Sequence, residues 1–268
     1  MITYPGAGKI SWSGRLVGVQ PRIRLLRSFD ERHHNYQGYV LRVNGTCGDQ
    51  AGEFLIAVGH GAHEKHCFRA GMELSGQSVP VDDPRMEAAE FYKTSGLKVL
   101  KDAEDGPSAG PPFFGVPPDL PTYRARGHRR LDARTYEAKC TACIWGCRMP
   151  VEIIVDHWNP SQKKYRFETF CYGPKSCAAY RAGPTRRVPG RKGMSWTEED
   201  WVDEDATSHR GRMIEDENSR WSRTAKRQLV MLNEMGNGSA WGTGLIFATG
   251  LRHNLRQTND STCDIRIG

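Results

Sequence analysis

The stretch CTACIWGC, Cys140 to Cys147, sets three thiols within eight residues of a 268-residue chain that has eight cysteines in all, and CYGPKSC, Cys171 to Cys177, adds two more. Thiols at this density bind metal as thiolates, pair as disulfides or pack as small hydrophobes. Two residues between Cys140 and Cys143 let both sulfurs reach one ion while backbone N–H groups of the turn point at them. Two other readings compete: five unrelated buried cysteines, or an iron–sulfur cluster held by three clustered thiols and a distant one. The spacings here differ from the usual cluster motifs.

What must position these thiols is the segment between them, MPVEIIVDHWNPSQKKYRFETF. It contains two β-rich runs joined by NPSQ, a turn signal. Val151, Ile153 and Val155 share one face of the first run, and Tyr165, Phe167 and Thr169 alternate along the second. A hairpin folded at Asn159 and Pro160 brings Cys140 and Cys143 beside Cys171 and Cys177. Four thiolates at one end of a hairpin resemble a zinc ribbon. The resemblance implies Zn held by Cys140, Cys143, Cys171 and Cys177, with Cys147 as the alternate ligand or a small hydrophobe under Trp145. The second turn is longer than the usual knuckle, although Gly173 and Pro174 supply a tight reversal. His157 falls at the opposite, turn end. A closed four-thiolate shell is structural, because it leaves no open position for a substrate water.

The other constellations carry less chemistry. His60, His63 and His66 recur at steps of three beside Cys67. Each step rotates a helical ligand back by about 60°, so all three cannot share an ion, and solvated histidines on a helix or loop rim are expected. GAGKIS lacks the hydroxyl and the first glycine of a phosphate loop, and there is neither a GxSxG elbow nor a GxGxxG that opens a helix.

Residues 14–100 read as short strands between turns. GRLVGVQPRIRLL suggests one long first strand with a bend or bulge at Pro21; YQGYVLRVNGT and GEFLIAVG follow, then HGAHEKHCFRAG as one or two helical turns, then MELSGQSVPV and LKVL. Three strands, a short helix and two strands resemble the OB-fold, a five-stranded Greek-key barrel. The expected fold is therefore mainly β. An OB-like barrel spans 8–101, a linker with six prolines between 102 and 121 occupies 102–133, a zinc-ribbon-like module spans 134–192, and an acidic, then mixed, tail covers 193–268. That tail is expected to be partly helical or disordered, and dispensable for folding beyond about residue 215.

The formal net charge of +7 favours polyanionic partners. Arginines cluster between Arg124 and Arg134 and between Arg181 and Arg191. On the barrel, Arg22, Arg24 and Arg42 alternate with apolar residues, and Tyr36 and Tyr39 are the candidate stacking pair, the arrangement by which OB-folds bind single strands. The expected protein is non-enzymatic: a nucleic-acid-binding or adaptor protein, preferring single strands, with Trp196 and Trp201 among tail carboxylates as a protein-docking segment. The alternative is an accessory subunit of an acyl-thioester or other metabolic enzyme, since barrel and ribbon pairs resemble such partner subunits in reversed order. No apolar run approaches the roughly 20 residues of a membrane helix. The start MITYPGAGKISW lacks a signal pattern. A cytoplasmic setting is expected, where clustered cysteines bind metal rather than pair.

Overall fold

The long first strand, β1 (Ile10–Arg27), sets the plan of the molecule. Its buried residues change parity along the chain: Trp12 and Leu16 point inward, then Val19, Ile23 and Leu25. An irregularity in the β1 ladder between Leu16 and Gly18 supplies the extra residue that makes the switch. One inserted residue turns every later side chain to the other face, so a bulge here keeps both halves of the strand on a core. A bend was expected at Pro21; the register shifts instead fall at Leu16/Gly18 and Arg22/Ile23.

The computed structural model describes residues 8–28, 32–103, 106, 110–159 and 161–198. After β1 come β2 (Arg32–Cys47), β3 (Gln50–Val58), helix α1 (His60–His66), β4 (Glu73–Pro80) and β5 (Phe91–Lys101). β1 pairs antiparallel with β2 through most of its length and with β4 over Ile10 to Arg15. β2 pairs with β3, β3 meets β5 in parallel, and β5 pairs with β4. The expected small barrel does not stand as a closed unit by itself. The C-terminal part of β1 has one edge left uncovered by β4, and β7 (Gly146–Ile154) pairs there in parallel, Leu25 opposite Val151 and Arg27 opposite Ile153. The result is one large mixed sheet of eight strands, continued by β8 (Lys163–Cys171) and the short β6 (Arg129–Arg130). A separate hairpin joins β9 (Arg186–Pro189) to β10 (Ser195–Glu198).

The segment 102–133, expected as a proline-rich linker, carries helix α2 (Leu120–Arg126). Asp119 caps it, its side chain accepting the N–H of Thr122, and Pro121 stands in the first turn, where the missing N–H costs nothing. Leu120 and Tyr123 are buried in a core shared by Leu41, Ile56 and Phe68 on one side and Met149, Val151 and Phe170 on the other. Tyr39 donates to the Pro118 carbonyl at 2.8 Å and Tyr123 to that of Ile144 at 2.6 Å. Both phenols thus keep a partner where burial would otherwise leave them unsatisfied.

Two carboxylates lie inside this half of the molecule. Glu152 is held by Arg24 and Lys163, and Glu168 by Arg130 and Arg166. Among the described residues no helix is long and apolar enough to cross a membrane. The tail readings beyond residue 198, including Trp201 and the dispensability of 215–268, lie outside the described residues.

Glu168 and Arg130 have side chains only 1% and 3% exposed, so Glu168→Ala leaves a buried guanidinium without its carboxylate. The expected loss is about 3 kcal/mol of unfolding free energy, read as a lower urea midpoint with an unchanged slope.

Candidate metal centre

The first cysteine turn grows out of a short helical stretch, Ala133–Thr135, capped by Asp132 and continued as a π-helical turn over Tyr136–Cys140. The chain then reverses: Cys143 N–H donates to the Cys140 carbonyl at 3.2 Å and Gly146 N–H to that of Cys143 at 3.0 Å, after which β7 begins. The second turn leaves β8 at Cys171, whose strand partner is Gly146. Cys177 N–H donates to the Pro174 carbonyl at 3.2 Å, which closes the CYGPKSC loop. The β7–β8 ladder therefore sets the two turns side by side at one end of the hairpin.

Cys140, Cys143, Cys171 and Cys177 all line one small cavity of about 10 Å³, with Phe113, Leu131, Trp145 and Tyr180 around them. Such a space admits one water-sized body. Backbone N–H groups are aimed at the sulfurs: Phe113 at Cys143 Sγ, 3.4 Å, and Gly173 at Cys171 Sγ, 3.3 Å. Trp145 N–H also faces Cys143, two residues on, as Gly173 is two residues beyond Cys171. Burial pushes the Cys140 thiol up to about 12, helped by the neighbouring Cys143, Cys171 and Cys177. Burial likewise pushes Cys143 up to about 11 against the opposing pull of the Trp145 and Phe113 amides. The thiols share a cavity without being drawn together: among the described residues no three His, Cys, Asp or Glu side chains already stand at metal-holding geometry.

β1 clamps this site from the far half of the sheet. Gln20 Nε2 donates to the carbonyls of Cys140, 2.7 Å, and Cys143, 3.0 Å, while Tyr136 donates to Gln20 Oε1 at 2.6 Å. A Cβ on Gly18 would stand 2.6 Å from Ala142 Cα, and one on Gly146 would stand 2.5 Å from the Cys140 carbonyl oxygen. The turn fits against β1 only because both positions lack a side chain. Neither Gln20 nor Tyr136 carries a signal that the sequence alone reveals, since the pairs are separated by more than 100 residues.

Cys147 lies elsewhere. It is fully buried in the main core, its Sγ 3.5 Å from the Pro21 carbonyl, with its thiol pushed up to about 12 by burial. Of the histidines, His63 is not a solvated rim residue: it is 5% exposed, and its Nε2 donates to the Pro117 carbonyl at 3.1 Å beside the Tyr39 ring.

The five residues expected to form a nucleic-acid face are not assembled as one. Arg22 forms a two-bonded pair with Glu87, Arg24 pairs with Glu152, and Arg42 pairs with Glu53 while donating to the Thr141 carbonyl. Each charge is met by a carboxylate, and those of Arg22 and Arg24 lie 65 and 128 residues away along the chain. Tyr39 is 0% exposed and offers no ring face to a base. Tyr36 is half-buried, with the Arg124 guanidinium 4.9 Å from its ring centre.

The cationic surplus sits on the other half. Residues 120–198 hold 16 Lys and Arg against 6 Asp and Glu, a difference of +10 that exceeds the +7 of the whole chain. Two of those acids, Glu152 and Glu168, are buried and each is held by two cations. Lys139, Lys164, Lys175 and Arg187 are among the exposed cations that remain. No family model matches the chain, and neither a curated protein nor a solved structure does.

Gln20→Leu removes the donor that two buried carbonyls share and the acceptor of the Tyr136 hydroxyl. A loss of about 2 kcal/mol is expected. Faster labelling of Cys140 and Cys143 by a thiol reagent, resolved by peptide mass, should accompany it; unchanged labelling would show that the turn holds without the clamp.

Proposed function

We propose that the protein is a non-enzymatic nucleic-acid-binding protein or adaptor, in which Cys140, Cys143, Cys171 and Cys177 hold one structural zinc ion. The observation that carries the binding reading is the concentration of cationic side chains in residues 120–198, 16 Lys and Arg against 6 Asp and Glu. A surface of this kind concentrates polyanions and steers their approach. The binding face is thereby assigned to the cysteine half rather than to Arg22, Arg24 and Arg42. The order of pairing among β1 to β5, with α1 between β3 and β4, supports reading the other half as OB-like.

The zinc reading rests on the donor set. Four thiols face one cavity the size of a single small body, and amides two residues beyond Cys143 and Cys171 point at sulfur, an arrangement suited to stabilising thiolates. Bound there, zinc would supply a tetrahedral crosslink between the two turns. The protein's part is to orient the sulfurs, through Gln20 on one turn and the β7–β8 ladder beneath both. Because Cys147 packs in the core away from the cavity, it is left out of the ligand set.

Elemental analysis of the purified full chain should return one zinc per chain, and Cys140→Ser or Cys171→Ser should lose it, while Cys147→Ser keeps it. Iron with visible absorbance, or no metal, refutes the site. The binding reading is tested by fluorescence anisotropy with a labelled single-stranded oligonucleotide across a salt series. Affinity should fall with a log–log slope of about 0.7 for each neutralised phosphate. Absence of binding at low salt would favour the reading as an accessory subunit of a metabolic enzyme.

A further inference from the structure

At the end of the β7–β8 hairpin away from the thiols stands Trp158, 85% exposed, more than any other large hydrophobic side chain among the described residues. An indole left in water forfeits a large burial gain, so its presence at a tip calls for a partner. Its backbone is held in place. Asp156 Oδ1 accepts the Trp158 N–H at 3.0 Å, the Asp156 carbonyl accepts from Asn159 at 3.1 Å, and the Asn159 carbonyl accepts from Gln162 at 2.9 Å. This Asx-type turn presents the ring from a fixed base.

Two residues of the same turn, Asp156 and Gln162, line an open groove of about 560 Å³. Lys164 on β8, Arg191 and Lys192 on the loop between β9 and β10, and the half-exposed Met194 line it too. Asp156 is the only carboxylate among the lining residues, and it is occupied by the Trp158 N–H and, at 3.7 Å, by Arg191 Nε. The groove is thus net cationic, and the exposed Trp158 stands two residues along the turn from Asp156 on its wall.

We propose that Trp158 is a stacking finger for a base of a single-stranded nucleic acid whose phosphates run along the groove past Lys164, Arg191 and Lys192. The proposal rests on the nucleic-acid reading above and deepens it by naming the strand type and the contact. Charge complementarity selects the occupant, because phosphates suit the three cations. The indole is the other half of the match: stacking needs an aromatic face, it tolerates any base, and it is the usual companion of such a cationic track. A double helix keeps its bases stacked on each other and offers the ring no free face, which favours the single strand.

The test uses the full chain and a fluorescein-labelled oligothymidylate of about 16 nucleotides, read by anisotropy across a salt series. Trp158→Ala should weaken binding about tenfold with the salt slope unchanged, and Trp158→Phe should retain most of the affinity. Lys164→Gln with Lys192→Gln should flatten the slope by about 1.4, twice the single-strand value for one phosphate. Because all three side chains are exposed, the melting temperatures should match wild type. Wild-type binding that Trp158→Ala leaves intact overturns the finger while the broader reading stands. Failure of the wild type to bind at low salt overturns that reading itself. If Trp158→Ala abolishes binding to vesicles with anionic headgroups yet spares the oligonucleotide, the tip belongs to a membrane surface and the finger is overturned.

Discussion

One strand holds two halves of this molecule together, and one side chain on it holds the cysteine turn. β1 gives its edges to β2, β4 and β7, and Gln20 near its middle reaches the carbonyls of Cys140 and Cys143. In a buried setting a primary amide must satisfy both of its ends. Here Nε2 meets the turn and Oε1 meets the Tyr136 hydroxyl, so the amide, the turn and the helix leading into it fix one another. The absence of side chains at Gly18 and Gly146 lets the backbones come that close. Displacing β1 would displace the thiols.

The same strand explains why the hairpin half is not a free-standing module. A ribbon of about 50 residues has little core of its own, and metal usually supplies much of its folding free energy. In this chain Cys147, Met149, Val151 and Ile153 enter the core that β1 to β5 build. A zinc ion held there as proposed would crosslink two turns of an already supported hairpin, with the task of ordering those turns rather than folding a domain.

Charge is divided by the same architecture. Arg22 and Arg24 on β1 find carboxylates brought in from distant segments, Glu87 and Glu152, and Arg42 on β2 finds Glu53 on the neighbouring strand, so each is neutralised where it stands. Lys164, Arg191 and Lys192 line a groove in which, among the described residues, Asp156 is the one lining carboxylate. Partly buried pairs are also tied by hydrogen bonds, so those arginines have little to offer a phosphate without first breaking a bond of their own.

Local pattern was enough to read the strands β1 to β4, the C-terminal half of β5, the helix between β3 and β4, and the hairpin with cysteines at one end, because alternation, turn residues and short spacings are properties of neighbouring residues; the first half of β5, Phe91 to Gly96, read instead as a loop or helix insertion. The same reading placed Cys140, Cys143, Cys171 and Cys177 together, and the structure lines one cavity with all four. Three other features were decided only by tertiary structure. β7 joined β1 through an edge that β4 leaves uncovered, a matter of strand length and register rather than composition. Tyr39 and His63 went inside because the 110–126 segment folds over them and its carbonyls take their polar atoms, so that polar residues read as surface became core. Arg22 and Arg24 lost their free charge to Glu87 and Glu152, partners that a chain reveals only when distant segments have been packed side by side.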